Sequence, residues 1–209
     1  MYQKYGKRLL DILLSLGGLV VLAVPMLLIA AAVKLDSKGP VLFWQKRVAQ
    51  GKGTYSMPKF RSMYTEAPSE MPTHLLSSPD QWITPVGRFL RKTSLDELPQ
   101  LLSILKGDMS VVGPRPALWN QYDLIAERDK YGANDVRPGL TGWAQINGRD
   151  ELPIDVKARF DGEYVQQLSF AMDCRCFFGT VGKVLRRDGV VEGGTGAKKD
   201  EKEKENVGV

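Results

Sequence analysis

From Leu9 to Val33 the chain is apolar except for Asp11, Ser15 and a few glycines. As a helix these roughly 25 residues cover about 37 Å, enough to cross the hydrocarbon core of a bilayer. Lipid offers no partner for backbone polar groups, so the segment is restricted to a helix. Three topologies use such a helix. A cleaved signal peptide fits the basic start at Lys4, Lys7 and Arg8, but the apolar run is long for one. A single-pass anchor is the ordinary alternative. The third is a helix that enters and returns on the same side. Pro25 in mid-run favours it, because proline removes a backbone hydrogen bond and kinks a helix. Basic residues flank the run on both sides, with Lys34, Lys38, Lys46 and Arg47 following it, so both ends prefer one membrane face. Spanning and re-entrant readings both remain at this point.

The rest of the 209 residues suffices for one domain with a core. A formal charge of +5 points to acidic partners such as anionic lipid or a phosphate-bearing substrate. Nucleic acid is not expected, because no zinc-finger spacing or aromatic RNP motif accompanies the charge. Cys174 and Cys176 are too close for an ordinary bridge, which fits a reducing compartment. The single histidine, His74, leaves no material for Ser-His-Asp chemistry or a histidine-ligated zinc. Catalysis must therefore rest on carboxylates, basic residues and a hard cation.

The pattern predicts an α+β domain, predominantly helical. A strand ending at Val48, a turn at Gln50–Gly53 and a strand Thr54–Phe60 form a small hairpin. A surface loop is expected from Thr65 to Asp80 and a helix over Pro85–Lys92. A short strand follows Gly107, a helix covers Ala117–Tyr131, and Arg137–Arg149 reads as a glycine-punctuated loop. Helices over Pro153–Ser169 and Met172–Arg187 complete the domain. The last is basic and amphipathic, which suits either an interfacial membrane helix or a core-facing one. Residues 1–36 form the membrane segment, 37–192 the domain, and 193–209 a charged tail expected to be disordered.

Asp96 and Glu97 precede a helix whose apolar stripe is Leu98, Leu101, Leu102 and Leu105. Pro99 is tolerated only in a first turn and Gly107 supplies a stop. Ser94 and Glu97 have capping-box spacing, so plain helix capping competes with a catalytic role. Around them, basic residues gather near turns: Lys59, Arg61, Arg88, Arg91, Arg115, Arg137 and Arg149. Arg115 lies between Pro114 and Pro116, which stiffen it for bidentate phosphate binding. A carboxylate attacking phosphorus, with a cation on a diphosphate and arginines on its oxygens, would use all these parts. A non-enzymatic membrane adaptor and a carboxylate-dependent phosphohydrolase are the rival readings.

An ordered set of motifs resembles the bacterial sugar transferases, the monotopic polyprenyl-phosphate phosphoglycosyl transferases, in their small form. It includes Lys7-Arg8-Leu9-Leu10-Asp11, Gly39-Pro40-Val41, Lys59-Phe60-Arg61-Ser62-Met63, Ser94-Leu95-Asp96-Glu97-Leu98-Pro99-Gln100, Lys106-Gly107-Asp108-Met109-Ser110, Gly113-Pro114-Arg115-Pro116, Arg137-Pro138-Gly139-Leu140-Thr141-Gly142 and Asn147-Gly148-Arg149. The resemblance implies transfer of sugar 1-phosphate from a UDP-sugar to undecaprenyl phosphate with release of UMP. It implies Asp96 as nucleophile in a ping-pong scheme and Glu97 at a Mg²⁺ site. It also implies an N-acetylated sugar and a catalytic domain on the cytoplasmic face of the bacterial inner membrane, among membrane lipids, feeding downstream glycosyltransferases. The family's helix is re-entrant and broken at a Ser-Pro pair. Here that pair reads Val24-Pro25, and re-entry remains the expectation.

Overall fold

The computed structural model describes residues 1–68, 79–148 and 152–186. Its dominant element is α1 (Lys7–Asp36), preceded by a π-helical turn at Tyr2–Gly6. The helix continues through Pro25, so the expected break is not an interruption of helical structure. One stripe of α1 faces the domain. Asp11, Ser15 and Val33 are buried, and Leu19, Leu22, Met26, Ile29 and Ala30 pack against core clusters. That i, i+3, i+4, i+7 spacing runs about 33 Å along the helix. Leu13, Leu16, Val20, Val24, Leu27 and Leu28 are exposed on the remaining surface. Tyr2–Asp36 is long and apolar enough to cross a membrane.

The hairpin forms as expected. Strands β1 (Leu42–Val48) and β2 (Thr54–Phe60) pair antiparallel, with Phe43 opposite Lys59, Gln45 opposite Met57 and Arg47 opposite Tyr55. Paired residues share a face, so these six side chains lie on one side of the ribbon. Helix α2 (Pro85–Thr93) starts at Thr84, whose hydroxyl accepts from Gly87 N–H, with Pro85 at the first helical position. A 3₁₀ turn at Leu95–Glu97 leads into α3 (Gln100–Lys106), which ends at Gly107 with φ of 104°. The capping box between Ser94 and Glu97 is not formed. Ser94 sits in the left-handed region with φ of 57° and makes no side-chain cap, while the Glu97 carboxylate turns to basic partners.

Two expectations are corrected downstream. The helix expected over Ala117–Tyr131 is only α4 (Tyr122–Asp129). Ala117 and Leu118 instead extend the edge of β1, where Val48 N–H donates to the Ala117 carbonyl and Leu118 bridges Arg47. The expected loop after Arg137 contains β4 (Gly139–Thr141), paired parallel to β3 (Ser110–Val112), and the one-turn helix α5 (Trp143–Ile146). Its glycines serve close backbone approach. A Cβ on Gly139 would lie 2.1 Å from Gly113 N, and one on Gly142 would lie 2.1 Å from the Gly113 carbonyl.

Helices α6 (Ile154–Gln166) and α7 (Phe170–Arg186) close the core. Tyr55 and Met57 of the hairpin, Leu101 and Ile104 of α3, Met109, Val111, Val112, Tyr164, Met172 and Cys176 form its main cluster. Cys176 is thus a packing residue. Helix α7 is core-facing along one side, with Met172 and Cys176 buried, while Phe170, Phe178 and Val181 are exposed. His74, Arg149 and the 193–209 tail lie outside the described residues.

Candidate active site

The carboxylates sit where three elements meet. β2 supplies Lys59, the turn between α2 and α3 supplies Asp96 and Glu97, and the segment after β3 supplies Arg115. Asp96 and Glu97 are 8% and 9% exposed. The Arg115 guanidinium grips Glu97 with both terminal nitrogens, Nη2 to Oε1 at 2.6 Å and Nη1 to Oε2 at 3.3 Å. Lys59 Nζ donates to the same Oε1 at 3.1 Å. Glu97 is thus held by two cations, which suits a partly buried carboxylate needing partners for its charge.

Asp96 is in a different electrostatic position. Burial pushes its carboxyl above the usual range, Lys59 opposes that most strongly, and neighbouring Glu97 adds to the rise. Arg91 and Arg115 pull it back down. Lys59 is itself held below its ordinary range by burial, with Glu97 the main opposing influence. Asp96 is thus a poorly solvated carboxyl whose charge is disfavoured by burial and by Glu97 and favoured by the surrounding cations.

The other basic residues separate into groups. Arg91 flanks the site, donating from Nε to Ser62 Oγ at 3.1 Å. Arg61 is buried and turned to the exit of α1. Its Nε reaches the Pro40 carbonyl at 2.6 Å, Nη1 reaches Ser37 Oγ at 2.6 Å, and Nη2 reaches the Ser37 carbonyl at 2.8 Å. That is a structural clamp. Arg88 is exposed on α2, and Arg137, also exposed, donates to the Gly107 carbonyl at 3.1 Å.

In the sequence Arg47 reads only as part of the basic flank of the apolar run. It donates to the Pro116 carbonyl at 2.9 Å and to Gln45 Oε1 at 2.6 Å, bracing the Arg115 turn from the hairpin. Tyr55, opposite it, has a buried hydroxyl without a hydrogen-bond partner among the described residues. The two-residue alternation that places Lys59 would have placed both on the same face.

Among the described residues no group of three or more His, Cys, Asp or Glu side chains could cage a metal. The donor set is nevertheless of the right kind for Mg²⁺. That ion is commonly held by one or two carboxylates completed by substrate phosphates and water.

Residues 2–187 match a family model described as bacterial sugar transferase. The chain belongs to the bacterial sugar transferase family. A Bacillus subtilis relative, the uncharacterized sugar transferase EpsL, is 41% identical over 88% of this chain and 89% of its own length. The UDP-glucose:undecaprenyl-phosphate glucose-1-phosphate transferase of Escherichia coli is also 41% identical, over 85% of this chain but 39% of its own. The undecaprenyl-phosphate galactose phosphotransferase of Salmonella typhimurium is 36% identical over 89% of this chain and 42% of its own. The chain therefore spans most of the first of these sugar transferases and well under half of the other two. Its apolar α1 marks this family member as membrane-associated.

Proposed function

We propose that this sugar transferase moves a sugar 1-phosphate from a UDP-sugar to undecaprenyl phosphate and releases UMP. The observation that carries the proposal is the pairing of buried Asp96 with the Lys59–Glu97–Arg115 cluster, in a chain with relatives named for this transfer. In the first half, an Asp96 carboxylate oxygen attacks the phosphorus bonded to the sugar. The bond from that phosphorus to the UMP oxygen breaks and UMP leaves as an anion. In the second half, a phosphate oxygen of undecaprenyl phosphate attacks the aspartyl-bound phosphorus and frees the Asp96 carboxylate. In their ionised forms both nucleophiles attack without losing a proton, so the scheme requires no general base.

The chain's own residues supply orientation and charge. Arg115 and Lys59 bind the diphosphate oxygens and stabilise the charge that builds on them in the transition state. Glu97 would hold Mg²⁺, which when bound neutralises the diphosphate. Glu97 reaches the ion only by sharing an oxygen now gripped by Arg115 or Lys59.

Re-entry of α1 at the cytoplasmic face of the inner membrane belongs to the same proposal. It is supported by the tethering of both ends of the helix to one domain. Lys7, Arg8 and Asp11 anchor the start, and Arg61 anchors the exit at Ser37 and Pro40. Phe89, Leu102, Phe170 and Phe178 are also exposed and would add apolar surface for lipid to that of α1.

Purified protein with Mg²⁺ should sustain UMP release from a UDP-sugar only with polyprenyl phosphate present, and Asp96→Asn should abolish it. Release of inorganic phosphate with water as acceptor would support a phosphohydrolase, and vesicle binding without turnover an adaptor. The relatives' names specify glucose and galactose, whereas the small form points to an N-acetylated sugar. A panel of UDP-hexoses and UDP-N-acetylhexosamines, read by UMP release, separates the two.

A further inference from the structure

The first turns of α1 carry polar contacts that the transfer chemistry does not use. Arg8 donates from Nη1 to the Ile104 carbonyl at 2.6 Å and from Nη2 to the Leu105 carbonyl at 2.8 Å, capping the last turn of α3. Asp11, 3% exposed, accepts at Oδ1 from Ser110 Oγ and from Val111 N–H, both at 2.9 Å. Lys7 Nζ reaches the Val112 carbonyl at 2.8 Å and Asp173 Oδ2 at 2.7 Å. Tyr164 OH meets the same carbonyl at 3.0 Å and Asp173 Oδ1 at 2.8 Å. One helix thus grips the end of α3 and every residue of β3. Further along, α1 approaches α3 closely at Gly18, where a Cβ would stand 3.2 Å from Leu101 Cδ1.

These two elements carry the two halves of the site. Glu97 stands three residues before α3, and Arg115 stands three residues after β3. The short link between them bonds back to α3, with Asp108 and Met109 N–H donating to the Ser103 carbonyl at 3.0 and 3.2 Å, and α1 packs against both elements. The Arg115–Glu97 grip thus joins two elements that are both held by α1.

We propose that Lys7, Arg8 and Asp11 are positioning residues that hold α3 and β3 at the spacing that sets Arg115 against the Asp96–Glu97 carboxylates. The membrane helix is then a structural part of the active site as well as its tether. Lys7 and Arg8 spend their charge on protein carbonyls and Asp173, in addition to any effect on topology. The inference rests on the proposed transfer reaction, because it assigns these residues to the geometry of that reaction. A displacement of about 1 Å at a reacting centre can cost on the order of a hundredfold in rate.

The test uses the full chain in detergent or proteoliposomes, with acceptor-dependent UMP release as the assay. Failure of the unsubstituted protein to turn over would refute the proposed reaction and is distinguishable from everything below. Given that activity, Asp11→Ala should lower kcat at least tenfold and change KM for the UDP-sugar less than threefold. That pattern marks an interaction felt in the transition state. Carbonate-resistant membrane retention should be unchanged. Asp11→Asn keeps an oxygen that can accept both bonds and should recover kcat to within threefold. Arg8→Met breaks the other arm of the same bridge. The Asp11→Ala, Arg8→Met double variant should therefore fall no more than about twofold below the worse single variant. Wild-type kcat in folded Asp11→Ala, no recovery in Asp11→Asn, or effects that multiply in the double variant would each overturn the proposal. If Asp11→Ala does not fold, Ser110→Ala and Arg8→Met carry the same comparison, with wild-type kcat in both as the refuting result.

Discussion

Replacing Arg61 by methionine separates a clamp from a substrate ligand. The guanidinium is buried and makes three hydrogen bonds between 2.6 and 2.8 Å, to Ser37 Oγ and to the Ser37 and Pro40 carbonyls. Bonds to a charged donor contribute about 1.5–3 kcal/mol each, so the summed upper range is roughly 5–9 kcal/mol. Pro40 is exposed and Ser37 is half-buried, so water replaces part of what is lost. A net cost of about 3–5 kcal/mol follows, since each stranded acceptor costs about 1–3 kcal/mol when it stays dry. For a domain of this size that lowers the apparent Tm by roughly 6–20 °C. Thermal unfolding followed by tryptophan emission at a fixed scan rate reads the shift, because such proteins commonly unfold irreversibly. At 20 °C the folded fraction should keep a KM for the UDP-sugar within twofold of the unsubstituted protein. An unchanged Tm with a tenfold rise in KM would refute the clamp and restore Arg61 to the substrate.

Three further outcomes follow from the site. Arg115→Lys keeps the charge but loses the two-nitrogen grip on Glu97, so kcat should fall by about 10²-fold, read by UMP release. Lys59→Met removes the cation that most strongly opposes the upward shift of Asp96. The nucleophile must be ionised, so the rate rises with pH through the Asp96 pKa. The midpoint of that acidic limb should move to higher pH in the variant, and an unmoved midpoint would break the link. Gly142→Ala sets a Cβ 2.1 Å from the Gly113 carbonyl and should lower the apparent Tm or prevent folding. An unchanged melting curve would contradict the close packing of that segment on Gly113.

Much of this was legible in the sequence because local rules govern it. The α1 helix, the hairpin, the Pro85 start of α2 and the Gly107 stop all follow from periodicity, proline and glycine. Lys59, Asp96, Glu97 and Arg115 were expected together and meet within hydrogen-bond distance or electrostatic influence of one another. What failed depends on contacts between residues far apart in the chain. The glycines around β4 read as a loop because nothing local marks Gly113 as the backbone they must approach. Ala117–Gln121 has ordinary helical composition, yet the edge of β1 captures Ala117 and Leu118. Arg61 sits in a motif of basic residues that looks uniform in sequence, while the fold turns Lys59 to the carboxylates and Arg61 to Ser37. Lys7 and Arg8 read as a basic membrane flank, and only the tertiary structure reveals carbonyls of α3 and β3 as their partners.

The most direct test of the central claim is the intact mass of the protein after incubation with a UDP-sugar and Mg²⁺ in the absence of lipid acceptor. The account predicts one equivalent of UMP and a mass increase equal to one phosphosugar. The increase should map to the peptide containing Asp96, be absent in Asp96→Asn, and be discharged by undecaprenyl phosphate. UMP formation that requires the acceptor from the first turnover, with no adduct at any time, would contradict it and make the transfer a single direct displacement.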